Sequence, residues 1–356
     1  MGNIYSYIKK YKNKTFTDKK FNEIDNMIFS MIAYNAFENI FDEVDDNTLY
    51  SLGKRYIEKY AFKIIEKKGI MYVDPYKILK EIYKTKRYKD VTLTNYEYKY
   101  DKKTQFCAMT FNITKNLSYI AFEGTNHLLT GWKEDGELAC FYPVPAQKLA
   151  IKYLKEHINI FGPRYIIGGH SKGGNLALVS AMNLKPLQQY KVKKIYSNDG
   201  PGLRKKEINS LKYKRIRHKY EHIVPEGSVI GVLLRHDKYT VVSCSKKNIF
   251  SHSCAAWDID DDKLSLTELS IKSRRLERSI IRWLDNHSDQ ERKKLIYDVF
   301  AMFEKENIEN VMELKSIKKL ISLYFKSRKL DKETQDLFWD LIKYNFRSVQ
   351  KGIDEL

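Results

Sequence analysis

The chain has 356 residues, 43% of them hydrophobic, which suffices for one large core and argues against global disorder. No apolar run approaches the ~18 residues of a membrane span, and the lysine-rich stretch 1–14 lacks the apolar segment of a secretory signal, so a cytoplasmic protein is expected. The net charge of +19 suits peripheral contact with an anionic membrane. No zinc-finger, helix-turn-helix or RNP-like pattern accompanies it, so nucleic acid is not expected as a partner. A composition heavy in Lys, Asn, Ile and Tyr accounts for most of the charge, which is densest over 204–219, a run that reads as a solvated helix and edge strand.

In chain order, 17–40 reads as an amphipathic helix. Phe21, Ile24, Met27, Ile28, Met31 and Ile32 recur at helical spacing behind a Thr17 or Asp18 cap. Further helices are expected over 47–86. From Val91 the period changes, and 94–100, 104–111 and 117–122 read as a meander of aromatic and β-branched strands. A helix over 144–158 carries Pro145 in its first turn. Strands are expected at 165–167, 193–198, 228–234 and 239–243. Beyond Leu264 the chain is helical again, with a capping box at Ser288–Glu291 and an apolar face of Leu295, Ile296, Val299, Phe300 and Phe303. Alternating strands and helices predict an α/β fold with a mostly parallel central sheet covered on both faces. The expected organisation is an N-terminal helical segment over 1–90, a core over 91–260 and a C-terminal helical segment over 261–356. Cys107, Cys140, Cys244 and Cys254 show no metal-ligand spacing, and reduced thiols are the default reading. No motif implies a metal or organic cofactor.

The chemistry concentrates in Gly168-Gly169-His170-Ser171-Lys172-Gly173-Gly174, which follows an apolar strand and opens a helix of small residues. That is the context of a nucleophile elbow, where Gly169 and Gly173 relieve a tight turn around Ser171. A serine hydroxyl then needs a base, an acid to orient it and donors for the oxyanion. Of the five histidines after Ser171 (His218, His222, His236, His252 and His287), His252 sits in a loop after the last expected strand, the place for the base. The oxyanion donors are the Lys172 N–H, next after the nucleophile, and Thr125, beyond the strand that ends at Phe122. For the acid, Asp199 ends the strand after the elbow helix; Glu221, Glu226 and Asp237 remain alternatives. A lysine beside the nucleophile raises a further expectation: that Lys172 meets an anionic substrate group, or else extends its ammonium to solvent.

The stretches 121–125 (AFEGT), 131–135 (GWKED), 143–147 (PVPAQ), 168–177, 197–202 (SNDGPG), 224–231 and 251–257 (SHSCAAW) together resemble a bacterial family of lipase-like α/β-hydrolases related to the class 3 lipases. The resemblance spans nearly the whole chain. It implies the α/β-hydrolase fold and a serine esterase-like site acting on a small-molecule ester or lipid, without fixing the substrate or the oligomeric state. Two positions depart from the pattern: Glu123 stands where the related lipases have arginine, and Asn126 where an acidic residue usually follows. A thioesterase or peptidase using the same residues, or a pseudo-hydrolase acting as a protein- or membrane-binding module, are the alternative readings. The Glu123 substitution favours the last of these.

Overall fold

Among the described residues, seven strands form one sheet in strict chain order. The computed structural model describes residues 2–68, 70–101, 104–126, 129–306, 308, 322–323 and 326–345. Strands β1 (Thr92–Tyr100), β2 (Gln105–Thr114) and β3 (Leu117–Phe122) make the antiparallel meander. β4 (Arg164–His170), β5 (Val192–Asn198), β6 (Tyr220–Pro225) and β7 (Thr240–Val242) then add in parallel beyond β3.

Alternation along each strand divides the core between the two faces of the sheet. Tyr119 and Ala121 of β3 join Ile166 and Tyr196 on one face. There they meet helices α1 (Ile4–Tyr11), α2 (Glu23–Ile32), α3 (Leu49–Lys59), α4 (Phe62–Lys68) and α5 (Ile70–Ile82). Ile120 and Phe122 point the other way with Ile167 and Ile195. The second face is covered by α7 (Pro145–His157), α8 (Lys172–Met182) and two short helices, α10 (Lys205–Ile208) and α11 (Leu211–Ile216). Between these elements lie α6 (Leu129–Glu137) and α9 (Pro186–Lys191). The N-terminal helices thus share one core with the sheet.

Past the sheet come α12 (Ile271–Asn286) and α13 (Asp289–Lys305), and α14 (Lys332–Asn345) packs beside α12 through a Trp283 Nε1–Thr334 Oγ1 hydrogen bond of 3.2 Å. Ser288 and Glu291 form the expected capping box. Much of the expected C-terminal helical segment, including 309–321 and 346–356, lies outside the described residues. So do Met1 and Lys102-Lys103 of the β1–β2 turn.

Three local expectations need correction. The early helix begins at Glu23, not Thr17, because Asn22 makes a reciprocal capping box with Asp25. Residues 228–234 are turns rather than a strand, since the Ser228 hydroxyl and Gly231 N–H are spent on Asp199. The parallel place is taken by β6. The basic run 204–219 forms α10, α11 and a 3-10 turn ahead of β6, and since β7 lies beyond it, β6 is no edge strand. Several charges of that run are paired, including Arg204 with Glu207 and Asp289. The four cysteines are unpaired and buried. Among the described residues, no helix is long and apolar enough to cross a membrane.

Candidate active site

The strand register delivers the site. Phe122 lies opposite Gly169, His170 opposite Asn198, and Asn198 opposite Ile223. The ends of β3, β4, β5 and β6 are therefore level, and the segments leaving them meet above the sheet edge. Ser171 occupies the β4–α8 turn at φ 56° and ψ −133°, a region that costs a non-glycine residue roughly 1–3 kcal/mol. Its N–H donates to Asn198 O at 2.9 Å, which ties the turn to β5. A side chain at Gly169 would place Cβ 2.3 Å from the Gly173 carbonyl carbon, and one at Gly173 would come 2.1 Å from Phe122 O. Both glycines are there because backbone passes where a methyl would go.

Asp199 also has positive φ, 50°. One carboxylate oxygen, Oδ2, accepts from His252 Nδ1 at 2.6 Å. The other accepts from the Ser228 hydroxyl at 2.5 Å and from the Gly231 N–H at 3.0 Å. Three donors on one carboxylate fix its plane. With Nδ1–H committed to Asp199, the neutral His252 ring presents Nε2 as an acceptor. Ser171 and His252 line the same cavity. Among the described residues no hydrogen bond joins the serine hydroxyl to the ring, and such contacts commonly tighten only once substrate is bound.

The His252 loop is held from behind. The His170 ring is buried and its pKa driven well down by desolvation, so it is neutral. Its Nε2–H donates to His252 O at 2.7 Å, and its Nδ1 accepts from the Tyr34 hydroxyl at 2.9 Å. Trp257 Nε1 donates to Ser251 O at 2.9 Å, and Ser253 Oγ to Asp74 of α5 at 2.5 Å. Tyr34 and Asp74 come from the N-terminal segment, and sequence reasoning missed both.

The remaining candidates lie elsewhere. Glu221 pairs with Lys194 and Asp237 faces Arg217, while the Glu226 N–H donates to Val242 O of β7. His222 and His236 stack 4.1 Å apart and donate to Gly231 O and Leu233 O. His287 bonds Trp283 O.

Thr125 is buried and lines the Ser171 cavity, and its Oγ1 makes no hydrogen bond among the described residues. The Lys172 N–H is the first of α8 and so takes no intrahelical partner. Asp135, three residues after Trp132 in the stretch 131–135, also lines the cavity. Its Oδ1 is likewise without a hydrogen bond. Burial raises its pKa to about 6 against the pull of Lys172, and Thr125 lies near enough to favour the carboxylate without hydrogen-bond geometry.

Both expectations for the Lys172 side chain fail. It is fully buried, and its Nζ donates to Gln105 O at 3.0 Å and to Glu134 Oε2 at 2.8 Å. Glu134 Oε1 accepts in turn from Thr104 Oγ1 and the Ala146 N–H. The ammonium thus clamps α8 to α6 and β2 and reaches neither substrate nor solvent. Glu123 also differs from the expected reversal of charge. Burial lifts its carboxyl to about 8, opposed by the Tyr100 hydroxyl bonded to it and by Lys172, so at neutral pH it is mostly uncharged. Asn126 is buried, and its carbonyl accepts from Trp132 Nε1 at 3.1 Å.

The cavity measures about 530 Å³. Its walls extend from Ser171 to Ile280, Trp283, Val299, Phe300 and Phe338 of the C-terminal helices and to Met31 and Met71 of the N-terminal ones. A long apolar chamber therefore opens on a serine, a histidine and the helix end behind them.

The parallel order of β3 to β7, the serine in the β4–α8 turn and the acid and histidine after later strands define an α/β-hydrolase fold. The family model described as Mbeg1-like matches residues 82–301, and the chain belongs to that family. Among solved structures it is similar to one described as the crystal structure of M37 lipase, at 14% identity and a TM-score of 0.36, covering 60% of this chain and 70% of that one. No curated protein sequence matches the chain.

Proposed function

We propose that the protein is a serine hydrolase that cleaves a lipid-like carboxylic ester through an acyl-serine intermediate. The observation that carries this reading is that His252, bonded from behind by Asp199, opens with the strained Ser171 into one apolar chamber. In the first half-reaction Ser171 Oγ attacks the acyl carbon and His252 Nε2 takes its proton. The Thr125 hydroxyl and Lys172 N–H stabilise the oxyanion. As the ester C–O bond breaks, the imidazolium gives its proton to the departing alcohol. Water then repeats the sequence on the acyl-enzyme, with His252 as base, and releases the carboxylic acid. Asp199 orients the ring and stabilises its cationic form.

A fluorophosphonate probe is the direct test. It should label the folded protein, and Ser171→Ala should abolish labelling. No Ser171-dependent labelling of folded protein would reject the reading in favour of a binding module.

A further inference from the structure

A chamber that encloses an acyl chain leaves the other end of the ester to be recognised at its opening. Two residues bordering the cavity, Lys77 and Lys246, are solvent-exposed cations. Lys77 lies on α5 three residues after Asp74, hence on the same side of the helix. Asp74 is bonded to Ser253, the residue after His252. That contact sets this turn of α5 against the His252 loop. Lys246 precedes the same loop.

Among the described residues neither lysine has a carboxylate partner; the Lys77 ammonium lies 5.3 Å from the centre of the Phe62 ring. Of the carboxylates at the cavity, Asp74 is engaged by Ser253 and Asp135 sits beside Thr125. Lys172, the cation adjacent to the serine in sequence, is sealed against Glu134. Positive charge available to a ligand is thus at the mouth rather than at the reacting carbon, in a chain that carries +19 overall. The chamber, about 530 Å³, falls within the range that encloses one drug-sized ligand.

We propose that the site takes a single-chain acyl ester or thioester whose head group bears a phosphate, with the chain beneath the C-terminal helices and the phosphate against Lys77 and Lys246. This rests on the hydrolase reading of Ser171 for turnover, but not for binding. A lysophospholipid and an acyl-coenzyme A both present this chemistry.

The test uses full-length Ser171→Ala protein, which binds without turnover, and ligands below their micelle-forming concentrations. Affinities for palmitoyl lysophosphatidylglycerol, palmitoyl-coenzyme A and neutral monopalmitoylglycerol are measured by displacement of a fluorescent fatty acid. The phosphate ligands should bind about tenfold more tightly than the neutral one, a preference that shrinks as salt rises. Adding Lys77→Gln and Lys246→Gln should remove most of that ratio, with thermal unfolding used to show that the variant is folded. Equal affinity for all three ligands, or a preference that survives both substitutions, overturns the proposal. Turnover by the unsubstituted protein then separates the two phosphate sources, since the true substrate class is the one it hydrolyses. If the fluorophosphonate probe fails to label Ser171 while the phosphate preference holds, the hydrolase reading falls and the binding site stands.

Discussion

An ammonium removed from water carries a desolvation cost that only a close counter-charge and further hydrogen bonds offset. Lys172 meets that condition through Glu134 and Gln105, and both side chains of the ion pair are buried. Removing one partner leaves a lone buried charge. Lys172→Met should therefore cost about 3–5 kcal/mol in denaturant unfolding. Lys172→Met combined with Glu134→Gln should recover part of the loss, because the remaining groups are neutral. A single variant as stable as the parent would contradict the buried clamp. Glu123 gives a second prediction, in pH. Its carboxyl holds its proton more tightly in the folded chain, at about 8 against an ordinary 4.5. Its contribution to stability is thus full at low pH and is lost as pH rises from about 4.5 through 8. Glu123→Gln keeps an acceptor for Tyr100 but cannot ionise. The melting temperature of the variant relative to the parent should climb across that interval and level off above it. Parallel melting curves from pH 5 to 9 would refute the raised pKa.

At the scale of elements, the turn between β4 and α8 is fixed by how closely β3 passes. Gly173→Ala needs room where the Phe122 carbonyl oxygen lies 2.1 Å away, so β3 and α8 must separate. Loss of fluorophosphonate labelling together with a lowered melting temperature is expected; an unaltered melting temperature would show that the turn relaxes freely. This turn was legible in sequence because glycine spacing is a local signal, as were 117–122, found as a strand with the same limits, and the Ser288–Glu291 box. Asp199 leads Glu221, Glu226 and Asp237 as the candidate acid in sequence because it ends a strand, but its hydrogen bond to His252 is a contact between distant segments, which no spacing encodes. The Lys172 side chain was misread for the same reason: its partner Glu134 lies on a helix 38 residues earlier. The stretch 228–234 looked like a strand from its apolar content, whereas the hydrogen-bond demand of Asp199 bent it into turns.

For the whole molecule, the segments leaving the sheet carry Ser171, Asp199 and His252, and the helical segments wall the chamber. Val299 faces the cavity from α13. Val299→Trp should shorten the chamber and lower kcat/KM for p-nitrophenyl palmitate by about tenfold more than for the acetate, in line with the 1–3 kcal/mol of a misfitted apolar group. An equal effect on both esters would mean that the acyl chain lies elsewhere. The chamber also has a temporal consequence. Met31 and Phe338 wall the same space, and Tyr34 steadies His170 from near the start of the chain. Contacts so far apart in sequence close late, because long loops must be ordered before they are rewarded. Without the terminal helices docked, the chain has the sheet and Ser171 but not the enclosed chamber. On the hydrolase proposal, competence toward long-chain esters requires these distant segments in place as well as Ser171.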